Sequence, residues 1–421
     1  MSIVRKVVDI FRKALVDFVQ CGIVQKSMLG VMNILSRVIK KDPKIILCGA
    51  MNGHWYGDNS RYVYEWILEN RPDLKPVWLT KNAEVYKRLA QQHKPVATIG
   101  SLRGLGCLLK AEKGLFTNSL HDLAILPFLI PDHIKLVALR HGRSVKRIRF
   151  ARKSHKISRD ETVERRRESE LVVHAISTSE FISDIQEECL QIGRHKHVVT
   201  GYPRNDLLWE VPEDEQNAWH QFIGDVDDKT VILYAPSWRH GRQATKFFPF
   251  DDFSVDDLAR YLESRSVMLL LRPHANDLRK YPELVGFLRQ LAQRTSNIRM
   301  ATHVEFPDVN SLLPYVDILI SDYSALYHDY LLLKRPMLFI PYDLEEFREE
   351  NGFLYDYEAL LPGPKVGSLD DFGKYIDQIL AGKDQWNDKR QKLCDLVHSC
   401  QDKNARKRVV ELLERIKYES L

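Results

Sequence analysis

Residues Ile318 to Asp343 read ILISDYSALYHDYLLLKRPMLFIPYD. An apolar run stops at Ser321-Asp322-Tyr323-Ser324, a helix-like run follows, and a second apolar run stops at Pro341-Tyr342-Asp343. Short apolar runs bounded by turn residues suit strands buried on both faces, and a helical segment between two of them makes a parallel crossover unit. The polar residues then fall at the ends of two buried strands, one of which opens a helix. What those ends do is the question the stretch raises.

The same alternation runs through most of the chain. IILCGA, PVWLT, PVATI, GLFTN, KLVAL, LVVHAIST and HVVTGYPRND read as strands of a first block, separated by loops and helical segments. After the polar stretch EVPEDEQNAWHQFIGDVDDK, strands resume with TVILYAPSW, SVMLLLRPH, NIRMAT, VDILISD and MLFIPYD. Strand–helix alternation in two blocks predicts an α/β chain with two parallel-sheet domains facing a cleft. The expected organisation is an amphipathic helical segment over 1–43, an N-terminal domain over 44–210, a C-terminal domain over 211–395 and a helical tail over 396–421.

Composition sets bounds on function. At 421 residues, 44% hydrophobic and 28% charged, the chain is long enough for two domains and ordinary for a globular protein. No apolar stretch approaches the ~18 residues of a membrane span; LAILPFLIP is broken by Pro127. Cys21, Cys48, Cys107, Cys189, Cys394 and Cys400 lie far apart without a CxxC pair, which reads as reduced thiols in a cytoplasm. Twelve Lys and Arg face three acids between Arg140 and Arg167, so anionic partners are expected. That run holds a single aromatic, Phe150, which argues against a single-strand nucleic-acid binder. Val4, Val7, Val8, Phe11, Leu15 and Phe18, then Met28, Val31, Leu35 and Val38, recur at helical spacing among basic residues. This basic amphipathic segment has two readings, an attachment to an anionic membrane surface or a hairpin packed on the protein's own core.

In open parallel sheets, ligands sit outside the carboxyl ends of the strands. Here those ends carry Arg140-His141-Gly142-Arg143, Ser237-Trp238-Arg239-His240, Arg272-Pro273-His274, Ser321-Asp322-Tyr323-Ser324 and Pro341-Tyr342-Asp343. The residue types suit phosphate. Ser324 at a helix start can hold an anion, or can simply cap the helix. Arg239 and Arg272 can fork onto phosphate oxygens, or can pair with acids of the protein. Trp238 offers a face to a base, or belongs to the core. His141 and His274 can move a proton or donate to developing charge. No P-loop and no metal motif is visible; the acidic run Asp225 to Asp228 sits in a polar linker and reads as a turn. No cofactor is expected.

With these residues in view, SDYSALYHDYLLLKRPMLFIPYD, YAPSWR, RPH, GYPRND and HGRSVKRI closely resemble, in order, the blocks of the CDP-glycerol glycerophosphotransferase family of teichoic-acid primases and polymerases. The resemblance runs from about Lys44 to Val366. It implies a GT-B-like fold of two Rossmann-type domains, with the nucleotide held mainly by the second. It also implies transfer of a polyol phosphate from a CDP-activated donor to a hydroxyl of a lipid-linked or polymeric acceptor, with release of CMP, in the synthesis of a teichoic-acid-like or capsular polymer. Members are peripheral proteins on the inner membrane face. His141 matches the presumed base, His274 the pyrophosphate-stabilising histidine and Ser324 the phosphate-binding serine. On this reading Ser237, Trp238, Arg239, Arg272, Asp322 and Asp343 line the donor side, and Arg143 and Lys146 the acceptor side. Arg143-Ser144 stand where the family often has Thr-Pro, and Ala325 where a second Ser often follows. A GT-B glycosyltransferase using a nucleotide sugar is the alternative with the same cleft.

Overall fold

A computed structural model describes residues 22–142, 145–151, 158–224, 228–239 and 243–416, with backbone only for 22, 23, 159 and 160. The first half of the expected amphipathic segment, residues 1–21, lies outside the described residues, as do Arg143 and His240.

Two parallel sheets organise the chain. The first holds β1 (Ile45–Cys48), β2 (Lys75–Thr80), β3 (Val96–Thr98), β4 (Lys113–Phe116), β5 (Lys135–Ala138), β6 (Val172–Ser177) and β7 (His197–Val199), in the order β3-β2-β1-β4-β5-β6-β7. The second holds β8 (Thr230–Tyr234), β9 (Val267–Leu271), β10 (Ile298–Met300), β11 (Ile318–Ser321) and β12 (Met337–Phe339), in the order β10-β9-β8-β11-β12. Both are doubly wound. Each reverses direction once, beside β1/β4 in the first sheet and beside β8/β11 in the second, and such reversal points open a crevice at the strand ends. The apolar runs read from the sequence are these strands.

Burial explains why the runs are continuous. All five residues of β9 are buried, and successive residues feed opposite layers. Ile232, Leu269, Ile320 and Leu338 pack with Leu258, Leu288 and Phe372 on one face. Leu233, Leu270 and Leu319 pack with Tyr327 and Tyr330 on the other, a cluster that also takes in Val145, Ile182 and Leu208 from the first half of the chain. The two halves therefore share apolar core as well as polar contacts.

The helix Gly22–Val38 packs Met32 and Ser36 inward, against the helix Leu102–Lys110 and the turn Pro127–Leu129. Its other face leaves Val31, Ile34 and Val38 exposed, at 56%, 63% and 78%. Among the described residues no helix is long and apolar enough to cross a membrane.

The far end of the chain differs from a tail. The helix Ala405–Arg415 returns to the first sheet and buries Val409, Val410, Leu412 and Leu413 with Ile46, Tyr64 and Leu115. Asp206 caps it, accepting the N–H of Ala405 and of Arg406 at 3.0 Å each. Its apolar face requires that cover, which sequence proximity alone does not reveal.

Candidate active site between the two sheets

Polar side chains from three strand ends of the second sheet meet around Arg239. Arg239 follows β8 and is buried, 5% exposed. Its Nε and Nη2 fork onto the Asp343 carboxylate at 2.7 and 2.9 Å, and its Nη1 donates to Asp322 and to the Ser237 carbonyl, each at 2.7 Å. Tyr323 donates its hydroxyl to Asp343 at 3.0 Å, and the rings of Tyr323 and Tyr342 lie 5.1 and 4.8 Å from the guanidinium carbon. Asp322 also receives the Ser237 N–H at 2.8 Å. Arg239, Asp322 and Asp343, expected on the donor phosphates, thus bind one another. They tie together the ends of β8, β11 and β12. Arg272 is occupied in a similar way: it donates to the carbonyls of Ala301, Thr302 and Phe306 at 3.0, 3.2 and 2.8 Å, and burial pushes its pKa down to about 10. It holds the loop after β10. Both arginines are struts of the scaffold rather than open forks.

The groups left facing the cleft are fewer. His274 caps the helix Ala275–Lys280, its Nδ1 accepting the Asn276 N–H at 3.1 Å. That hydrogen bond fixes the tautomer, so the proton sits on Nε2. The ring stacks on Trp238 with centroids 5.3 Å apart and planes within 10°. Surrounding protein, together with the charges of Lys146, His141, His303 and Arg272, pushes its pKa down to about 4. His274 is a neutral donor at physiological pH, suited to hydrogen-bonding an anion and unsuited to acting as a base. Trp238 is half-buried beneath it. Ser237 buries an Oγ that has no partner among the described residues. The Ser324 Oγ accepts the Leu326 N–H at 3.3 Å from one residue before Ala325, the N-cap of the five-residue helix Leu326–Tyr330.

His141 comes from the first sheet. After β5 the chain turns sharply, with Arg140 at φ 59° and Gly142 at φ 123°. A Cβ at residue 142 would lie 2.8 Å from the Arg204 Nη2, so the turn needs glycine twice over, for conformation and for space. The turn lifts His141 out, leaving its side chain 54% exposed, while its Nδ1 pairs with the buried carboxylate of Asp58. Asp58 opens the helix Asp58–Asn70 at φ 59°, a left-handed conformation that Asp tolerates and that marks local strain. Asn59 pins the helix start to the strand end by donating to the carbonyls of Leu139 and Arg140 at 3.0 and 2.8 Å. The Asp58 charge lifts the His141 pKa above the ordinary imidazole value, against the partial desolvation by the walls of the cleft and the Arg204 charge. Burial alone would push Asp58 up; His141, Arg204 and the Asn59 N–H outweigh it and hold the carboxyl below its usual range. A histidine oriented by a carboxylate through Nδ1 presents Nε2 as a proton acceptor.

Lys146, expected on the acceptor side, belongs to the first half of the chain but pairs with the second. It forms an antiparallel bridge with Phe353, and the Arg147 N–H donates to the Gly352 carbonyl at 3.1 Å. Its ammonium lies 5.9 Å from the Phe347 ring and acts on His274. Sequence reading missed Asp58 and Arg204 altogether. The available signals were a polar residue at a helix start after Gly57 and the arginine within GYPRND. Among the described residues no three His, Cys, Asp or Glu side chains group as a metal site.

The model of the CDP-glycerol:poly(glycerophosphate) glycerophosphotransferase family matches residues 31–415. The chain belongs to that family. Its relatives include a teichoic acid glycerol-phosphate transferase of Staphylococcus aureus, 27% identical over 85% of this chain and 89% of that protein. A teichoic acid poly(glycerol phosphate) polymerase of Bacillus subtilis is 27% identical over 85% of this chain, which spans about half, 46%, of the polymerase. Among solved structures, the wall teichoic acid polymerase TagF superposes with a TM-score of 0.71 at 22% identity, over 97% of this chain and 98% of that one. A putative UDP-N-acetylglucosamine 2-epimerase of Listeria monocytogenes matches at TM-score 0.56 and 14% identity, over 89% and 96% of the two chains. The GT-B-like fold expected from the sequence is thereby shown. As a glycerophosphotransferase family member, the protein sets an aspartate-paired histidine from one sheet opposite a neutral, helix-capping histidine from the other.

Proposed function

We propose that the protein transfers glycerol phosphate from CDP-glycerol to a hydroxyl of a lipid-linked or polymeric teichoic-acid-type acceptor. His141 Nε2 takes the acceptor hydroxyl proton as that oxygen bonds to the donor's β-phosphorus. The bond from phosphorus to the bridging oxygen breaks in line, and CMP leaves with the electron pair. His274 Nε2–H donates to the pyrophosphate, whose charge is present in the ground state and shifts toward CMP as the bond breaks. Lys146 adds positive charge beside it, and the Trp238 face, the Ser237 hydroxyl and Ser324 complete the donor side. The observation that carries this reading is geometric: His141 is held through Nδ1 by the buried Asp58 carboxylate, leaving Nε2 to accept a proton, while His274 accepts the Asn276 N–H through Nδ1 and stacks on Trp238, leaving its Nε2–H to donate. Their surroundings push the two pKa values in opposite directions. No cofactor enters this scheme, and the cations around His274 support a reaction without a metal ion; CMP release in EDTA at the untreated rate is the expected result.

The discriminating experiment offers the purified protein CDP-glycerol, CDP-ribitol and a UDP-sugar with an acceptor analogue. CMP from CDP-glycerol is expected. UDP release alone would replace this reading with the glycosyltransferase one.

On this reading the protein works peripherally on the inner membrane face. Val31, Ile34 and Val38 form an exposed stripe on the helix Gly22–Val38 beside exposed Lys26, Arg37 and Lys40, and Leu102 on the adjoining helix is 90% exposed. Apolar residues flanked by cations suit an anionic bilayer. Replacing Val31, Ile34 and Val38 with Ser should abolish flotation with anionic vesicles while sparing CMP release to a soluble acceptor analogue. Unchanged flotation would leave the helix as a packing element only.

A further inference from the structure

Arg204 stands between one buried carboxylate from each half of the chain. It lies in the turn Pro203–Leu208, 8% exposed. Its Nη1 donates to Asp58 Oδ1 at 3.2 Å and to the His141 carbonyl at 3.0 Å, so it grips both members of the dyad. Its Nη2 donates to Asp329 Oδ2 at 2.7 Å, and Asp329, 1% exposed, belongs to the short helix Leu326–Tyr330 that follows Ser324 in the second half. The other oxygen of Asp329 accepts from Asn205 at 3.1 Å, and Asn205 in turn accepts from Asn310 at 3.0 Å. The network is continuous from the donor side of the cleft to His141.

Its charge balance is informative. With His141 neutral, Asp58, Arg204 and Asp329 together carry one net negative charge. With His141 protonated they carry none. The cluster is therefore arranged to favour the arrival of a proton on His141. Among the described residues, other charged or titratable groups that act on or face His141 include Asp308, which accepts from the Tyr62 hydroxyl at 2.9 Å, and His274 across the cleft. Arg140, next in sequence, turns away to Glu168 at 3.4 Å.

We propose that Asp329 is a positioning residue for the transfer: through Arg204 it aligns and charge-balances the Asp58–His141 dyad, so that the base is complete only while the two halves of the chain are seated against each other. This inference rests on the reading of His141 as the base. It adds that a residue of the donor side, touching neither substrate, prepares the acceptor-side base.

The test uses the full chain with Asp329→Asn, whose amide keeps the shape and can still accept from Asn205 or Arg204 but has lost the charge. Arg204 then faces the dyad with one counter-charge fewer, and the His141 pKa falls. The acidic limb of the pH profile of CMP release is expected to move to lower pH, with kcat down about 10- to 100-fold and the KM for CDP-glycerol within about twofold. Asp329→Glu, which restores the charge, is expected to return the limb toward its original position. Arg204→Lys keeps one charge but cannot bridge both carboxylates; it should also lower kcat at unchanged donor KM, and it serves should Asp329→Asn fail to fold. A lowered kcat with an unmoved limb would overturn the proposal in favour of a packing role, as would a rise in donor KM alone. Retained turnover in His141→Ala would sink the base assignment itself, whereas wild-type kinetics in Asp329→Asn would sink only the coupling.

Discussion

Asp58→Asn is the most direct probe of the dyad. The carboxylate is buried and accepts from His141 through one oxygen and from Arg204 and the Asn59 N–H through the other. Two consequences follow from replacing it with an amide. The charge-assisted bond to His141 is lost, a term of about 1.5–3 kcal/mol, or roughly 10- to 150-fold in rate if it acts mainly in the transition state. The amide can also turn its N–H toward Nδ1, which moves the imidazole proton to Nε2 and removes the lone pair needed to accept a proton. In hydrolytic triads that tautomer error costs about 10⁴. The expected loss in kcat for CMP release is therefore about 10²–10⁴, with donor KM nearly unchanged. The pH dependence supplies a second readout. His141 works as a base only when neutral, so activity rises with pH through its raised pKa. Removing the Asp58 charge lowers that pKa and shifts the acidic limb downward. His274 contributes no limb in this range, because it loses its proton near pH 4. Turnover within threefold of wild type, with the limb in place, would refute the dyad.

Three further outcomes are expected. His274→Ala should lower kcat and raise the KM for CDP-glycerol together, since its N–H meets charge present before and during the transfer; a kcat effect with unchanged KM would contradict that. Ser324→Ala should weaken donor binding by about 10- to 150-fold, the ~1.5–3 kcal/mol of a hydrogen bond to a charged group, and a fall in thermal stability at unchanged donor affinity would make Ser324 a cap only. Arg239→Ala strands two buried carboxylates, so urea unfolding should report a loss of about 3–5 kcal/mol; a donor-affinity defect at full stability would restore the phosphate-clamp role.

The strands were legible because parallel sheets bury both faces and so write unbroken apolar runs, as in VMLLL of β9. The position of the site was legible too, because chemistry-bearing residues stop those runs at the carboxyl ends. What each residue does there was much less so. An arginine after a strand looks the same whether its fork is open or filled. Arg239 is filled only because the β10-β9-β8-β11-β12 order brings Asp322 and Asp343 beside it from two other strands. Asp58 escaped notice for a related reason. Its partner lies 83 residues away, and at a helix start an aspartate has a commonplace local use. GYPRND, by contrast, read as a motif without a reason. Arg204 serves the dyad, Asn205 joins the two halves, and Asp206 caps the last helix.

That last helix has a consequence for how the protein is made. Chains fold domain by domain as they emerge, the earlier part first. Here the earlier part cannot finish, because Val409, Val410, Leu412 and Leu413 are the cover over Ile46, Tyr64 and Leu115. Until residues 405–415 have left the ribosome, an apolar face of the first sheet stays open to water and to chaperones. The half that begins first is completed last, so a nascent chain acquires its base-bearing half in final form only after the donor half has been synthesised.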